Sequence, residues 1–231
     1  GGMANKHRLF AMLEDMMSHG ALSYCDGIAL HPYKMTGEEL IQRYNRIRQM
    51  MFKYSRKDME IWVTEYGWSA KSSGGSEGVK NKKIVATLPE QADRILKTYL
   101  AHVAAGGGPF IIYELRDDKN STLGIFGRDF TKKPAADAVS WMIRKLASGY
   151  TILAKKVFED GMLLEITTGD NKNYYITWGS QAFRELNRDV LTDKKYKPES
   201  YTGMDAESIR QGLNNNLQAV TDQVIFWEKI L

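Results

Sequence analysis

Residues 59–70 read MEIWVTEYGWSA. Ile61, Trp62, Val63 and Thr64 are branched or aromatic, the side chains that suit a pleated strand. Glu65 follows them directly, and Tyr66, Gly67 and Trp68 then turn the chain through aromatics and a glycine. A carboxylate at the mouth of a strand is either a solvated end residue or a placed chemical group. The neighbouring segments favour the second.

Upstream, residues 5–19 carry Leu9, Phe10, Leu13, Met16 and Met17 at helical spacing, and Met12, Met16 and Met17 read as the core face of an opening helix. DGIALHPY, residues 26–33, predicts a short strand over 27–30 that ends in His31, Pro32 and Tyr33. Thr36 and Glu39 have capping-box spacing. Leu40, Tyr44, Ile47 and Met51 then give a helix with a buried stripe. Downstream, KSSGGSEGVKNKKIVAT (71–87) is longer than most connections. A helix starts near Pro89, passes Leu96 and Leu100, and stops at Gly106–Gly108. PFIIYEL, residues 109–115, predicts a third strand, and a third helix follows over about 135–147.

Three strand–helix units in succession predict a parallel sheet, open or closed. Chemistry in such sheets sits at the C-terminal ends of the strands. The first mouth offers His31 and Tyr33, and the second Glu65 with Tyr66 and Trp68. The third offers Tyr113 and Glu114, then Arg116, Asp117 and Asp118. Aromatic rings around carboxylates suit sugars, whose C–H faces stack on rings while their hydroxyls hydrogen-bond at the edges.

The pattern changes at Ser148–Gly149. TILAKKVFED, a turn at Asp160–Gly161, MLLEITT, a turn at GDNKN, and YYITWG read as a hairpin series. AVTDQVIFWEKIL reads as a further strand pair or a closing strand. The predicted organisation is therefore residues 1–149 as an α/β unit and 150–231 as a small antiparallel β-sandwich-like domain.

The 231 residues, 43% of them hydrophobic, suffice for a real core. A net charge of +4, from 32 basic and 28 acidic residues, is too small and dispersed to indicate nucleic acid. Lys80, Lys82 and Lys83 read as solvated. The single cysteine, Cys25, excludes an intrachain disulfide. No run is long and apolar enough for a membrane span, and no signal peptide is present. Gly1 and Gly2 ahead of Met3 look like a cloning remnant, which leaves room for a targeting segment removed upstream. His31 and Glu65 lack an evident third ligand, so no metal is expected, and no motif implies a cofactor.

DGIALHPY, IWVTEYGWS and PFIIYELRDD, in that order, resemble the sixth, seventh and eighth strands of a retaining glycoside hydrolase with a (β/α)₈ barrel. The resemblance is to the large clan of cellulase-like and xylosidase-like enzymes, nearest the family 39 type. GIFGRDFTKKPAADAV (124–139) resembles the return to the last barrel helix. The resemblance covers about residues 20–147, and these enzymes often carry a small β-sandwich behind the barrel. It implies a partial TIM barrel of three βα units, with Glu65 as catalytic nucleophile. It further implies that His31, Tyr33, Tyr66, Trp68, Tyr113 and Glu114 contact an oligosaccharide, polysaccharide or glycoside, with Tyr33 bonding Glu65 or the sugar.

One departure weighs most. The clan's general acid/base is a glutamate preceded by asparagine on the fourth strand, and no Asn-Glu pair occurs in this sequence. Eight strands also need about 250 residues. The expectation is a C-terminal portion that pairs with a copy of itself or with an N-terminal barrel half. The alternative is a non-catalytic carbohydrate-binding or structural module. Glu114 as a substitute acid is disfavoured, because pairing with Arg116 would hold it charged. Blander readings stand beside these. His31 serves equally well as a structural bond to the next strand mouth, and Trp68 as core. His7, His19 and His102 read as surface or packing residues, and Asp117 and Asp118 as loop caps or solvated groups.

Overall fold

The computed structural model describes residues 3–4, 8–54, 58–70, 86–186, 195–215 and 220–230. His7, the basic loop lysines and most of the long polar loop therefore lie outside the described residues. The chain divides into two compact units, Gly1–Ala136 and Asp137–Leu231. The fold is a partial (β/α) barrel followed by an antiparallel β-sandwich-like domain, as the sequence predicts.

The first unit runs β1 (Met3–Ala4), α1 (Leu9–Ser18), a 3₁₀ turn (Ala21–Tyr24), β2 (Gly27–His31), α2 (Gly37–Tyr54), β3 (Glu60–Tyr66), α3 (Leu88–Ala104) and β4 (Phe110–Ile112). The strands lie side by side in chain order, and every pair is parallel. Order without reversal is the order of a barrel wall, whereas a doubly wound sheet reverses at a switch point. β1 was not anticipated, since two residues show no period. The third strand is shorter than predicted: beyond Tyr113 the carbonyls of Glu114 and Leu115 accept from Ile125 and Phe126 instead.

Helix α2 begins on the expected box, with Thr36 N–H donating to Glu39 at 2.8 Å and Glu39 N–H donating to the Thr36 hydroxyl at 3.2 Å. Thr87 and Glu90 form a second box at the start of α3. Such a cap is worth about 0.5–2 kcal/mol. In α1 only Met17 of the methionine cluster is buried, while Met12 and Met16 are exposed, so the predicted core face is narrower. His102 on α3 is fully buried: Tyr44 bonds its Nδ1 at 2.6 Å, and its Nε2 lies 2.7 Å from the Gly108 carbonyl. A carbonyl only accepts, so Nε2 carries the proton and Nδ1 accepts from Tyr44.

The second unit takes in most of α4 (Pro134–Leu146), whose Trp141 ring meets Phe226 edge-on at 4.8 Å. Lys145 on the same helix pairs with Glu199 at 2.5 Å. Its strands are β5 (Tyr150–Val157), β6 (Met162–Thr168), β7 (Asn173–Trp178), β8 (Tyr196–Ser200) and β9 (Ile225–Lys229). They form one sheet in the order β5-β6-β7-β9-β8, antiparallel throughout. Two helices, α5 (Ser180–Glu185) and α6 (Ala206–Asn215), interrupt the expected hairpin series. Phe183 and Ile209 from these helices bury against Ile225 and Trp227 of β9. Both expected turns are present, with Phe158 N–H bonding the Gly161 carbonyl and Asn171 N–H bonding that of Thr168.

Candidate active site

The mouth of β3 owes its form to a bulge. Val63 pairs with Phe110 and Tyr66 with Ile112, so three steps along β3 face two along β4. The extra residue breaks the alternation of the strand. Ile61, Val63 and Tyr66 are all buried, while Thr64 and Glu65 are partly exposed. Tyr66 ends β3, but its side chain is buried and turned toward α3, whereas the sequence reading has it facing the mouth. Its hydroxyl bonds Thr98 of α3 at 2.8 Å, and its ring packs 5.5 Å from Phe110. Burial raises its hydroxyl pKa above the ordinary tyrosine range.

Glu65 is held through one oxygen. The Tyr33 hydroxyl donates to Oε2 at 2.9 Å, and His31 Nδ1 lies 3.3 Å from the same atom. His31 Nε2 is 3.1 Å from the Thr64 hydroxyl. The carboxylate favours the proton on Nδ1, and Nε2 faces the Thr64 hydroxyl. Burial first, and then the bond to Glu65, raise the pKa of the Tyr33 hydroxyl above its usual range. It stays a protonated donor at neutral pH. Tyr113 meets Tyr33 edge-on at 6.4 Å, and His31 meets Tyr33 at 6.3 Å, so three rings from two strand mouths, those of β2 and β4, gather beside the carboxylate of β3.

Trp68 is half-buried, with the Arg94 guanidinium 4.1 Å over its ring and its carbonyl accepting from Gln91 at 2.7 Å. Gln91 also donates to the Gly124 carbonyl at 3.2 Å, tying the segment after β3 to the segment after β4. The sequence reading missed this residue. Gly67 answers part of the puzzle of the opening stretch: a Cβ there would lie 1.8 Å from the Tyr113 carbonyl oxygen, so the two mouths approach only without a side chain.

Glu114 is partly buried, and its Oε1 is enclosed with no hydrogen-bond partner among the described residues. Arg116 does not pair with it, and lies 4.5 Å over the Phe130 ring instead. Asp117 is buried in an ion pair with Lys133 at 2.7 Å and accepts from Gly124 N–H at 2.9 Å, so it is a buried anchor and not a solvated group. Asp118 caps its loop through Asn120 and Ser121. Ala70 and Ala86, which bracket the undescribed part of the long loop, pair in a parallel bridge beside this mouth. Among the described residues no helix is long and apolar enough to cross a membrane.

No family model and no curated protein sequence matches the chain. Solved structures do. A glucosidase from Croceicoccus marinus matches with a TM-score of 0.51 and 12% identity, over 86% of this chain and 41% of its own. A GH39 β-xylosidase from Caulobacter crescentus matches with a TM-score of 0.48 and 10% identity, over 99% of this chain and 56% of its own. A β-glucuronidase from an uncultured Clostridium matches with a TM-score of 0.39 and 20% identity, over 53% of this chain. The chain spans only 23% of that β-glucuronidase's length. At these identities the likeness is one of fold. The shared fold is a barrel portion followed by an antiparallel domain, with no single family identified.

Proposed function

We propose that this chain is the nucleophile-bearing part of a retaining glycoside hydrolase, acting on an oligosaccharide, polysaccharide or simple glycoside. The observation that carries the reading is Glu65, set by a bulge at a strand mouth and oriented through Oε2 by Tyr33 and His31. Glu65 would attack the anomeric carbon through its other oxygen, forming a glycosyl ester as the aglycone leaves. Water would then release the sugar with retained configuration. Tyr113, partly exposed, offers a ring face to the sugar.

Retention needs a second carboxyl group about 5–5.5 Å from the first, to protonate the leaving oxygen. Its source, in this reading, is a polypeptide segment beyond these residues. Three observations support that. The sequence has no Asn-Glu pair. Among the described residues β1 and β4 each have one edge without a strand partner. Ile111 and Leu115 on and after β4 are more than half exposed. A second reading, a saccharide-binding module without turnover, is favoured by the first of these observations alone.

The test is a panel of aryl glycosides assayed on the 231-residue chain, with sedimentation in parallel. Absence of a general acid typically costs about 10²–10⁴ in rate, so slow turnover that Glu65→Gln abolishes is expected. Robust turnover by a monomer, unaffected by Glu65→Gln, would refute the reading.

A further inference from the structure

The antiparallel domain carries a hollow of its own, of ≈ 180 Å³, lined by Glu165, Asn173, Tyr175, Tyr196 and Lys229 among others. Its position follows from the sheet register. Glu165 of β6 pairs with Tyr175 of β7, and Tyr175 with Trp227 of β9. Two residues further along β9, on the same face, Lys229 pairs with Tyr196 of β8. Trp227 belongs to the buried cluster that α5 and α6 cover, and Tyr175 and Tyr196 pack on that cluster only in part. Among the described residues the covering layer ends there, and the two tyrosines carry the sheet onward into the hollow. Their rings lie 6.0 Å apart at 43°, open as a shallow V. The Arg210 guanidinium donates to the Tyr196 carbonyl at 2.6 Å and fixes the edge strand to α6.

We propose that this hollow is a saccharide-binding subsite for a neutral sugar ring, separate from Glu65 and not dependent on the reading of that residue. The chemistry narrows the ligand. Two ring faces suit the C–H face of a pyranose, while a carboxylate, a carboxamide and an ammonium around them suit its hydroxyls. An apolar ligand would strip water from Glu165, Asn173 and Lys229 and return no hydrogen bond. A phosphate or uronate would meet Glu165, whose charge offsets that of Lys229. The volume admits one ring rather than several. Both tyrosines stand on strands, which hold a platform more firmly than loops do.

Isothermal titration of the full chain tests this, with xylohexaose and cellohexaose as neutral probes and hexagalacturonate as the charged one. Binding of a neutral probe is expected, retained in Glu65→Gln and weakened at least about tenfold in Tyr196→Leu. Lys229→Ala, at an exposed position that the fold tolerates, should weaken it by a few-fold and stands in if Tyr196→Leu fails to fold. Three outcomes overturn the proposal: no neutral probe binds, hexagalacturonate binds better, or affinity survives both hollow variants.

Discussion

Tyr33 donates its hydroxyl to Oε2 of Glu65 at 2.9 Å, across the gap between two strand mouths. The donor comes two residues after β2 and the acceptor from the bulge of β3, so the bond exists only once the parallel pair is in register. Together with His31 it leaves the other carboxylate oxygen without a hydrogen bond among the described residues. That arrangement orients the carboxylate and does not bury it, as the proposed nucleophile requires.

Tyr33→Phe keeps the ring against Tyr113 and removes the donor. Stability should fall by only about 0.5–1.5 kcal/mol, because Glu65 is partly solvated. Whatever turnover Glu65 supports should fall more, by about tenfold or above in kcat/KM, since the lost bond orients the attacking group. Urea denaturation alongside aryl glycoside kinetics separates the two effects.

The Asp117–Lys133 pair lies beneath the segment that follows β4, with both side chains almost wholly buried. Lys133→Met leaves the carboxylate without its counter-charge and should cost about 3–5 kcal/mol. Asp117→Leu combined with Lys133→Met should recover a large part of that loss, since no buried charge then remains. Denaturation midpoints of the single and double variants check the difference.

His102 gives the first unit a pH dependence of definite sign. Burial is the main cause that lowers its pKa below the ordinary histidine value. The unfolded chain therefore takes up the proton first as pH falls, and stability declines from about pH 6.5 downward until the folded pKa is reached. The slope should approach about 1.4 kcal/mol per pH unit at most. Urea midpoints at pH 7.5 and 5.5 should diverge in the parent chain. In His102→Gln, which keeps hydrogen-bonding capacity but does not titrate, they should diverge less.

What was legible in the sequence follows the range of the interactions involved. β2, β3 and the helices α2, α3 and α4 announce themselves through local periodicity and caps. Glu65, His31, Tyr33 and Tyr113 were placed from strand ends alone, and the structure brings them together. Tyr66 was misplaced because a bulge depends on the partner strand and reverses the expected facing. α5 was invisible for a similar reason: the carboxylate that receives its first N–H groups is Asp160, 20 residues away from Ser180. α6 had a local signal that went unread, since Asp205 accepts from Ser208 N–H and Ile209 and Leu213 stand four apart on its packed face. Gln91 was equally readable, as a polar residue one turn before Ile95 on the buried face of α3.

The most direct measurement is covalent trapping on the full chain. A 2-deoxy-2-fluoro glycoside with a dinitrophenolate leaving group needs no protonation of that group, so it reports the nucleophile without the general acid. Incubation with a panel of such sugars, followed by peptide mass spectrometry, should give one glycosyl adduct on Glu65 and none in Glu65→Gln. An adduct on another carboxylate, or a chain that stays unlabelled by every sugar in the panel, would contradict the assignment of Glu65 as nucleophile.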